Sequence, residues 1–580
     1  MNKLLFVLAF VAFPVLSLSA IEYKHITVSK PGTLQTQMDV YELIYERNLA
    51  IKGRLNSSDM KAIRNWHNGR YDYLALDLSE AEIISGGDPY YEDYTTEEDV
   101  IGPYMFWKCG FKELILPKTL KGIGDFALSE AVLMDSLELP ETLEFIGDRA
   151  FWWCEFHKIH IPSRVTFIGD GALGFPFRVT SLTVAEDNPS FEVIDSVLYT
   201  KDHTRLLLYT QHTEDEGSSY NKNYTVLPTV KKIDSGAFHF KFVGYINLPE
   251  GLEEIGDYVF WQSLRYMDFY SSGLKELVLP QSLKKIGEYA FYYNRIQELV
   301  LPDDLEVIRP FTFSYSLIRK LHLPKHLKRV MYAGIGDGNI IEEMTLPDEL
   351  ERVDSLGFLN FAPPKLVIPR SLKVMEPLAF SYWFGDTLDI QAPLDSIPNR
   401  AFEGCQSVKK IIFPPTLKSI GEWAFTHCHE LKSLDLPEGL ERIGANAFGV
   451  HMLDTIRIPS TVKELGEKAL YCNTWMGRCT YYVYPRTPPV CVRYTFGDLD
   501  FENCTLYVPK GCVEAYRNAH EWCLFGHILE MDASDINAIT DTIMTSERGY
   551  SLNGHLVSPS YKGVKIIRDQ KGKTRKTIQR

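Results

Sequence analysis

The sequence predicts a solenoid, a stack of short coils that each add a strand to a shared parallel sheet. Three observations carry this reading. First, an apolar anchor stands five residues before the phenylalanine, or its substitute, of an Ala-Phe step at Ile101, Ile123, Ile146, Ile168, Ile233, Ile255, Ile286, Ile308, Val330, Val353, Met375, Ile397, Ile420, Ile443 and Leu465. Most steps between anchors are 22 or 23 residues. Second, the same units carry an alternating L-x-x-L-x-L-P segment, as in Leu274–Pro280 and Leu431–Pro437. Third, one such unit cannot hide its own apolar residues, whereas stacked copies build a continuous core.

Each part of the unit has a physical role. Alternation makes L-x-L a short strand with one face inward. Proline cannot donate to the next rung and ends the strand. The second half reads L-x-x-I-G-x-x-A-F, as in Leu417–Phe425. Its glycine is expected to permit a turn that side chains would block. Alanine is small where coils pack closely, and phenylalanine fills the coil interior. Two anchor steps are longer, 65 residues before Ile233 and 31 before Ile286. The first contains "TVAEDNPSFEVIDSVLYTKDHTRLLLYT", Thr183 to Thr210.

These units resemble the BspA-type leucine-rich repeats of secreted and surface proteins of Gram-negative anaerobes. The stretch Thr183–Thr210 resembles the hairpin insertion that such arrays carry between coils. The resemblance implies a leucine-rich repeat solenoid: curved, with short parallel β-strands, an irregular or short-helical convex side, N- and C-terminal caps and a small β-like C-terminal tail. It divides the chain into a signal peptide (1–20), an N-terminal capping region (21–83) and the array (84–478), with the hairpin insertion at about 183–226. A C-terminal cap with a cysteine cluster (479–531) and a linker with a basic sorting-like tail (532–580) follow.

The flanks have their own signals. Residues 1–20 combine Lys3, an apolar run from Leu4 to Leu16 and small residues Ser17, Ser19 and Ala20, the pattern of a cleaved export signal. Asn56 and Ser57 are suited to cap a short helix with Met60, Ile63 and Arg64 on successive turns. At the far end a strand, a short helix from Cys512 to His520 and a final strand are expected to cover the last rung. The tail from Gly549 to Arg580 resembles a β-rich signal for a dedicated outer-membrane secretion pathway. Lys565 stands where that pattern carries an aromatic. From Lys562 onward eight Lys or Arg face one Asp, a net of +7. A solvated tail is the alternative reading.

Export implies a setting in which disulfides form. Cys109, Cys154, Cys405 and Cys428 share one repeat position and read as buried thiols stacked from coil to coil. Cys472, Cys479, Cys491, Cys504, Cys512 and Cys523 crowd the C-terminal cap and are possible disulfide cysteines. No C-x-x-C pair occurs, which argues against zinc.

The net charge of −15 gives a nucleic-acid role no support. No segment after the export signal is long and apolar enough to span a bilayer. G-x-S-x-G and H-E-x-x-H are both missing, and Gly572-Lys-Thr lacks the upstream glycine of a phosphate loop. His157 and His160 fall on opposite faces of a strand. Carboxylates after Ile-Gly read as solvated turns. The expectation is therefore no enzyme activity, no catalytic residue, no metal and no cofactor.

Binding is expected on the strand face, where the residues flanking the middle Leu point away from the core. They are Glu113 and Ile115, Ser136 and Glu138, Lys158 and His160, Tyr245 and Asn247, Glu276 and Val278, and Glu298 and Val300. Lys320 and His322, Glu343 and Thr345, Lys410 and Ile412, Ser433 and Asp435, and Thr455 and Arg457 complete the series. A second candidate set is aromatic: Trp152, Trp153, Trp261, Tyr292, Tyr293, Tyr315, Tyr382, Trp383 and Phe384. Exposed, such rings anchor sugars or proteins; otherwise they pack between coils. The functional expectation is an exported binding protein at the cell surface or secreted, with adhesion to host proteins, other cells or glycans. A structural or assembly component of the cell envelope is the alternative, and a surface hydrolase a lesser one. Outer-membrane secretion machinery is an expected partner of the tail.

Overall fold

A computed structural model describes residues 21–40, 45–67, 74–131, 137–154, 157–174, 179, 181–210, 222–239, 243–261, 273–449, 453–471, 479–531 and the backbone of four tail strands between 548 and 579. The chain forms two compact units, Met1–Glu349 and Leu350–Arg580. Each is a stack of coils with three hydrogen-bonded sides, as the leucine-rich repeat solenoid requires.

The first side is a ribbon of parallel L-x-L strands. In the first unit Lys24–Val28, Asn48–Leu55, Leu74–Asp77 and Phe111–Ile115 stand side by side. The residues expected to cap the array therefore supply rungs of their own. Pairs such as Glu298–Val300 with Lys320–His322 continue the pattern. In the second unit the rungs run from Lys365–Ile368 through Thr387–Ile390 and Lys410–Ile412. They resume from Ser433–Asp435 through Thr455–Ile458, Thr480–Val483 and Thr505–Val508 to His527–Glu530. The C-terminal cap is thus also built of rungs, with a helix at Val513–Arg517 between the last two.

The second side is a ribbon of two-residue strands ending on the Ile anchors, such as Ser396–Ile397, Ser419–Ile420, Arg442–Ile443 and Glu464–Leu465. The carbonyl of most anchors accepts a backbone N–H of the next coil, as in Gly421 N to Ile397 O at 2.8 Å. The third side is the Ala-Phe step. Its phenylalanine N–H donates to the alanine carbonyl of the following coil: Phe402 to Ala424, Phe425 to Ala447, Phe448 to Ala469. The array's turn side is irregular, and among the described residues the α-helices (Leu34–Val40, Ser57–His67, Val513–Arg517) lie in the flanks.

The core lies between the three sides. Phe238, Phe260, Phe291 and Phe313 stack with centroids 5.3, 5.2 and 5.6 Å apart, all buried. Phe358, Phe380, Phe402, Phe425 and Phe448 form the same column in the second unit. One unit has no neighbour for its phenylalanine, so stacking supplies the buried area that folding requires.

The Ile-Gly glycine has a different job from the one expected. Its φ is not positive at Gly147, Gly169, Gly256, Gly421 or Gly444. A Cβ on Gly147 would stand 2.7 Å from Asp125 N, and one on Gly444 2.7 Å from Glu422 N. The glycine therefore allows coils to approach, and the left-handed residue comes two positions later. That place holds Tyr104, Phe126, Arg149, Tyr258, Tyr289 and Trp423, with φ between 52° and 58°. The carboxylates after the glycine also do more than solvate a turn. Asp125 Oδ1 accepts Asp148 N–H, and Asp148 Oδ1 accepts Asp170 N–H, both at 2.7 Å.

The N-terminal helix is capped as the sequence indicates: Asn56 Oδ1 accepts Ser58 N–H at 3.1 Å. Buried Asp59 accepts from Gly32, Leu34 and Asn56 N–H, which ties both helix starts together. The insertion is an antiparallel hairpin, Phe191–Ile194 with Val197–Thr200, followed by Arg205–Tyr209. That last strand joins the second ribbon in parallel with Lys232–Ile233. The tail segments Arg548–Ser551, Leu556–Val557, Gly563–Arg568 and Thr574–Gln579 form an antiparallel four-stranded sheet.

A candidate binding face on the strand ribbon

Strand alternation decides which side chains are available. Leu299 and Leu321 are buried, while Glu298, Val300, Lys320 and His322 beside them are exposed. Register is kept from rung to rung, so outward residues line up in columns. In the first unit one column holds Tyr245 and Glu276, joined by a bridge, then Glu298, Lys320 and Glu343. Val300 and His322 are paired in the column beside it, to which the spacing assigns Asn247, Val278 and Thr345 as well. Val278 is 79% and Val300 50% exposed. Lys320 lies 3.5 Å from Glu343, and His322 4.0 Å from Glu298.

Nearer the N-terminus Lys158 and His160 are exposed, and His160 Nδ1 lies 2.8 Å from Thr183 Oγ1. Glu113 and Ile115 are half-buried, and Glu113 accepts from the Tyr23 hydroxyl at 2.5 Å. Burial, with Glu113 beside it, pushes that phenol well above its ordinary range. Glu138 is exposed; Ser136 lies outside the described residues.

In the second unit Lys410, Ser433 and Asp435 are exposed, while Ile412, Thr455 and Arg457 are half-buried. Sequence reasoning missed four ribbon residues here. Lys365 and Val367, and Thr387 and Asp389, sit on rungs written K-L-V-I-P and T-L-D-I, which lack the full leucine pattern. It also missed Tyr482 and Tyr507, because T-Y-Y-V and T-L-Y-V read as a cap. Arg457 pairs with Asp435 at 3.1 Å and lies 5.4 Å over the Tyr482 ring. Tyr482 and Tyr507 stack at 5.0 Å and 9°. Each ring thus covers its neighbour's face, which leaves edges and hydroxyls for a partner.

The aromatic set divides. Trp383 is fully buried, with Nε1 donating to Pro363 O at 2.9 Å, and Trp152 is buried against Tyr258. Neither presents a ring to a partner, because both side chains fill the gap between successive coils. Trp153, Trp261, Tyr292, Tyr293 and Tyr315 are half-buried in edge and stacked contacts, such as Tyr293 on Tyr315 at 4.7 Å. Tyr382 and Phe384 are exposed.

The repeat-position cysteines serve the coil joints. Cys154 Sγ donates to Leu128 O, Cys405 to Phe380 O and Cys428 to Phe402 O, each reaching the preceding coil. Asn294, Ser316 and Asn339 make the same bond elsewhere, to Phe260 O, Phe291 O and Phe313 O. Burial pushes the Cys405 and Cys109 thiols up to about 12. In the C-terminal cap Cys479, Cys491, Cys504 and Cys512 are buried and Cys523 is exposed; Cys472 lies outside the described residues.

Two grooves mark the second ribbon. One, about 710 Å³, separates Arg370–Met375 from Pro393–Pro398. Pro398 stands where other coils have glycine and has no N–H to offer the Met375 carbonyl, so the ribbon opens there. The other, about 670 Å³, runs over Ser396–Asn399, Gly421, Gly444 and Gly466. Among the described residues no group of three His, Cys, Asp or Glu could hold a metal ion, and no helix is long and apolar enough to cross a membrane.

The match to a repeat-family model agrees with this architecture. The BspA type leucine rich repeat region matches in six copies over residues 99–200, 216–267, 262–384 and 379–481. No curated protein matches. A leucine-rich repeat protein of Eubacterium ventriosum is 17% identical, with a TM-score of 0.33, covering 72% of this chain and 87% of its own. One of Bacteroides ovatus is 18% identical, with a TM-score of 0.28 and coverage of 73% and 90%. The pneumococcal vaccine antigen PcpA is 18% identical, with a TM-score of 0.24 and coverage of 67% and 72%. The repeat match spans well over half the residues, and the chain belongs to the BspA-type leucine-rich repeat family.

Proposed function

We propose that the protein is a non-enzymatic binding protein that works outside the cell and grips its partner with the outward face of the L-x-L ribbon. One observation carries the reading. The outward residues stand in registered columns on many consecutive rungs, and the core does not need them. Such a face offers area and repetition, which suits a protein or glycan better than an enclosed small molecule. The apolar points Val278 and Val300 beside Glu276 and Glu298 resemble the mixed character of transient interfaces. The family and the amino-terminal 1–20 pattern support an exported protein, with adhesion to host proteins, other cells or glycans as its role. The four-stranded tail supports a sorting role through outer-membrane secretion machinery.

Two measurements test this. Protease shaving of intact cells, followed by fractionation, reads whether the coils face outward; a fully protected, intracellular chain defeats the proposal. The purified chain without residues 1–20 is then screened against matrix proteins and glycans. Val278→Lys with Val300→Lys, or substitutions on the second unit's rungs, should weaken binding without lowering the melting temperature. Binding indifferent to every outward substitution also defeats it.

A further inference from the structure

Among the described residues of the second unit, the ribbon has a place where charge and hydrogen bonding are both left unsatisfied. Many lysines on the coils meet an acid of the preceding coil: Lys284 with Glu253, Lys328 with Glu306, Lys418 with Asp395, Lys463 with Glu441. Lys409, Lys410 and Lys432 break this habit. All three are exposed on neighbouring rungs and engage no carboxylate among the described residues. In a chain of net charge −15 such a group is unusual.

One rung away, on the same face as Lys410, is Asp389. The residue is 4% exposed, whereas its column mates Val367 and Ile412 are half-buried. Oδ2 accepts from Gln391 Nε2 at 2.9 Å and lies 3.7 Å from Lys365 Nζ. Oδ1 has no hydrogen-bond partner. A buried acceptor left unpaired costs about 1–3 kcal/mol, so a donor there would be held firmly.

We propose that these rungs bind an acidic polysaccharide, one bearing uronate or sulfate groups, laid along the ribbon. The inference rests on the ribbon being the binding face. Hydroxyls of the chain donate to Asp389 Oδ1, and its anionic groups meet Lys409, Lys410 and Lys432. An extended sugar chain alternates hydroxyls and anions at close to the spacing of rungs, which are about 4.8 Å apart. An acidic peptide fits less well, because its carboxylates would crowd against Asp389 and both edges of this strand are already paired.

The test is binding of the purified chain to chondroitin sulfate and polygalacturonate, with dextran and poly-glutamate as controls. The acidic glycans should bind and dextran should not. Lys409→Ala/Lys410→Ala/Lys432→Ala should lose about tenfold in affinity at an unchanged melting temperature. Asp389→Asn separates the proposal from simple charge attraction. Removing an anion would tighten a purely electrostatic complex, whereas an amide NH2 in the place of Oδ1 should weaken this one severalfold. Tighter binding by that variant overturns the proposal, as does an unaffected lysine variant, equal binding of poly-glutamate, or no binding of either acidic glycan. Binding of another partner that is lost on Val278→Lys but not on the lysine substitutions would sink this inference and leave the ribbon reading standing.

Discussion

Arg205 Nη1 donates to the carbonyl oxygen of Ile168 at 2.7 Å. In the coils before it that bond comes from backbone: Gly147 N–H to Ile123 O, and Gly169 N–H to Ile146 O. The hairpin insertion interrupts the succession, and a side chain closes it. The same guanidinium holds Asp234 through Nε at 2.6 Å and Nη2 at 2.5 Å. Asp234 is buried in the position where other coils have glycine.

Arg205→Met should therefore cost about 3 kcal/mol, since it strands a buried carboxyl and a carbonyl together. The damage should be local, with faster proteolysis between 191 and 209. Burial pushes the Asp234 carboxyl up from 3.8 to about 7, with Arg205 pulling it back down. A raised carboxyl is tolerated protonated, so its contribution is fully present below the unfolded value and is lost as pH rises through the folded one. Without Arg205 the loss should be larger above pH about 7 than below about 4, read by thermal melts across pH.

Gly444→Ala should destabilise by about 1–3 kcal/mol, because its Cβ meets the Glu422 backbone of the preceding coil. The size stays moderate, since the coils at Asp234 and Glu376 adjust to larger residues at the equivalent place. Gly251→Ala is the control, with only Pro228 O at 3.8 Å. Chemical denaturation compares the two, and equal effects would refute the close-approach account.

Cys405→Ser should melt as the native protein does, because Ser316 already makes the equivalent bond at 2.6 Å. Cys405→Val, which keeps size but loses the donor, should cost about 1 kcal/mol. Its thiol should resist alkylation in the folded protein, consistent with burial and a value near 12. Exposed Cys523 should react first.

Lys418→Glu should lower stability by up to about 1 kcal/mol at low salt. It sets three acids in successive coils, with Asp395 and Glu441 on either side. Exposed pairs such as Lys418 with Asp395 are screened, so high salt should erase most of the difference. Asp395→Lys added to Lys418→Glu should restore part of it.

Much of the architecture was legible because the motif repeats where chemistry repeats. The Ile anchors, the Ala-Phe step and the L-x-L strands are each buried or paired as their spacing implies. Gly147 shows where legibility ended: a glycine that frees φ and one that frees space are written alike. Trp152 and Trp383 follow the packing alternative that the sequence left open beside exposure, since exposure of a ring depends on the coil stacked above it. The rungs of Lys365 and Thr387 escaped notice because valine, aspartate and isoleucine stand where the leucine pattern expected other residues. Arg205 could not have been found by repeat reading, because it works only at the one junction where the repeat is interrupted.

Oxidative side-chain footprinting of the full chain, free and bound to the strongest binder among matrix proteins and glycans, tests the ribbon most directly. The account predicts protection of outward residues within a unit, Val278 and His322 in the first or Ile412 and Tyr482 in the second, with Tyr332 and Tyr382 on the turn side unchanged. Protection confined to the turn side, with those ribbon residues as reactive as before, would contradict it.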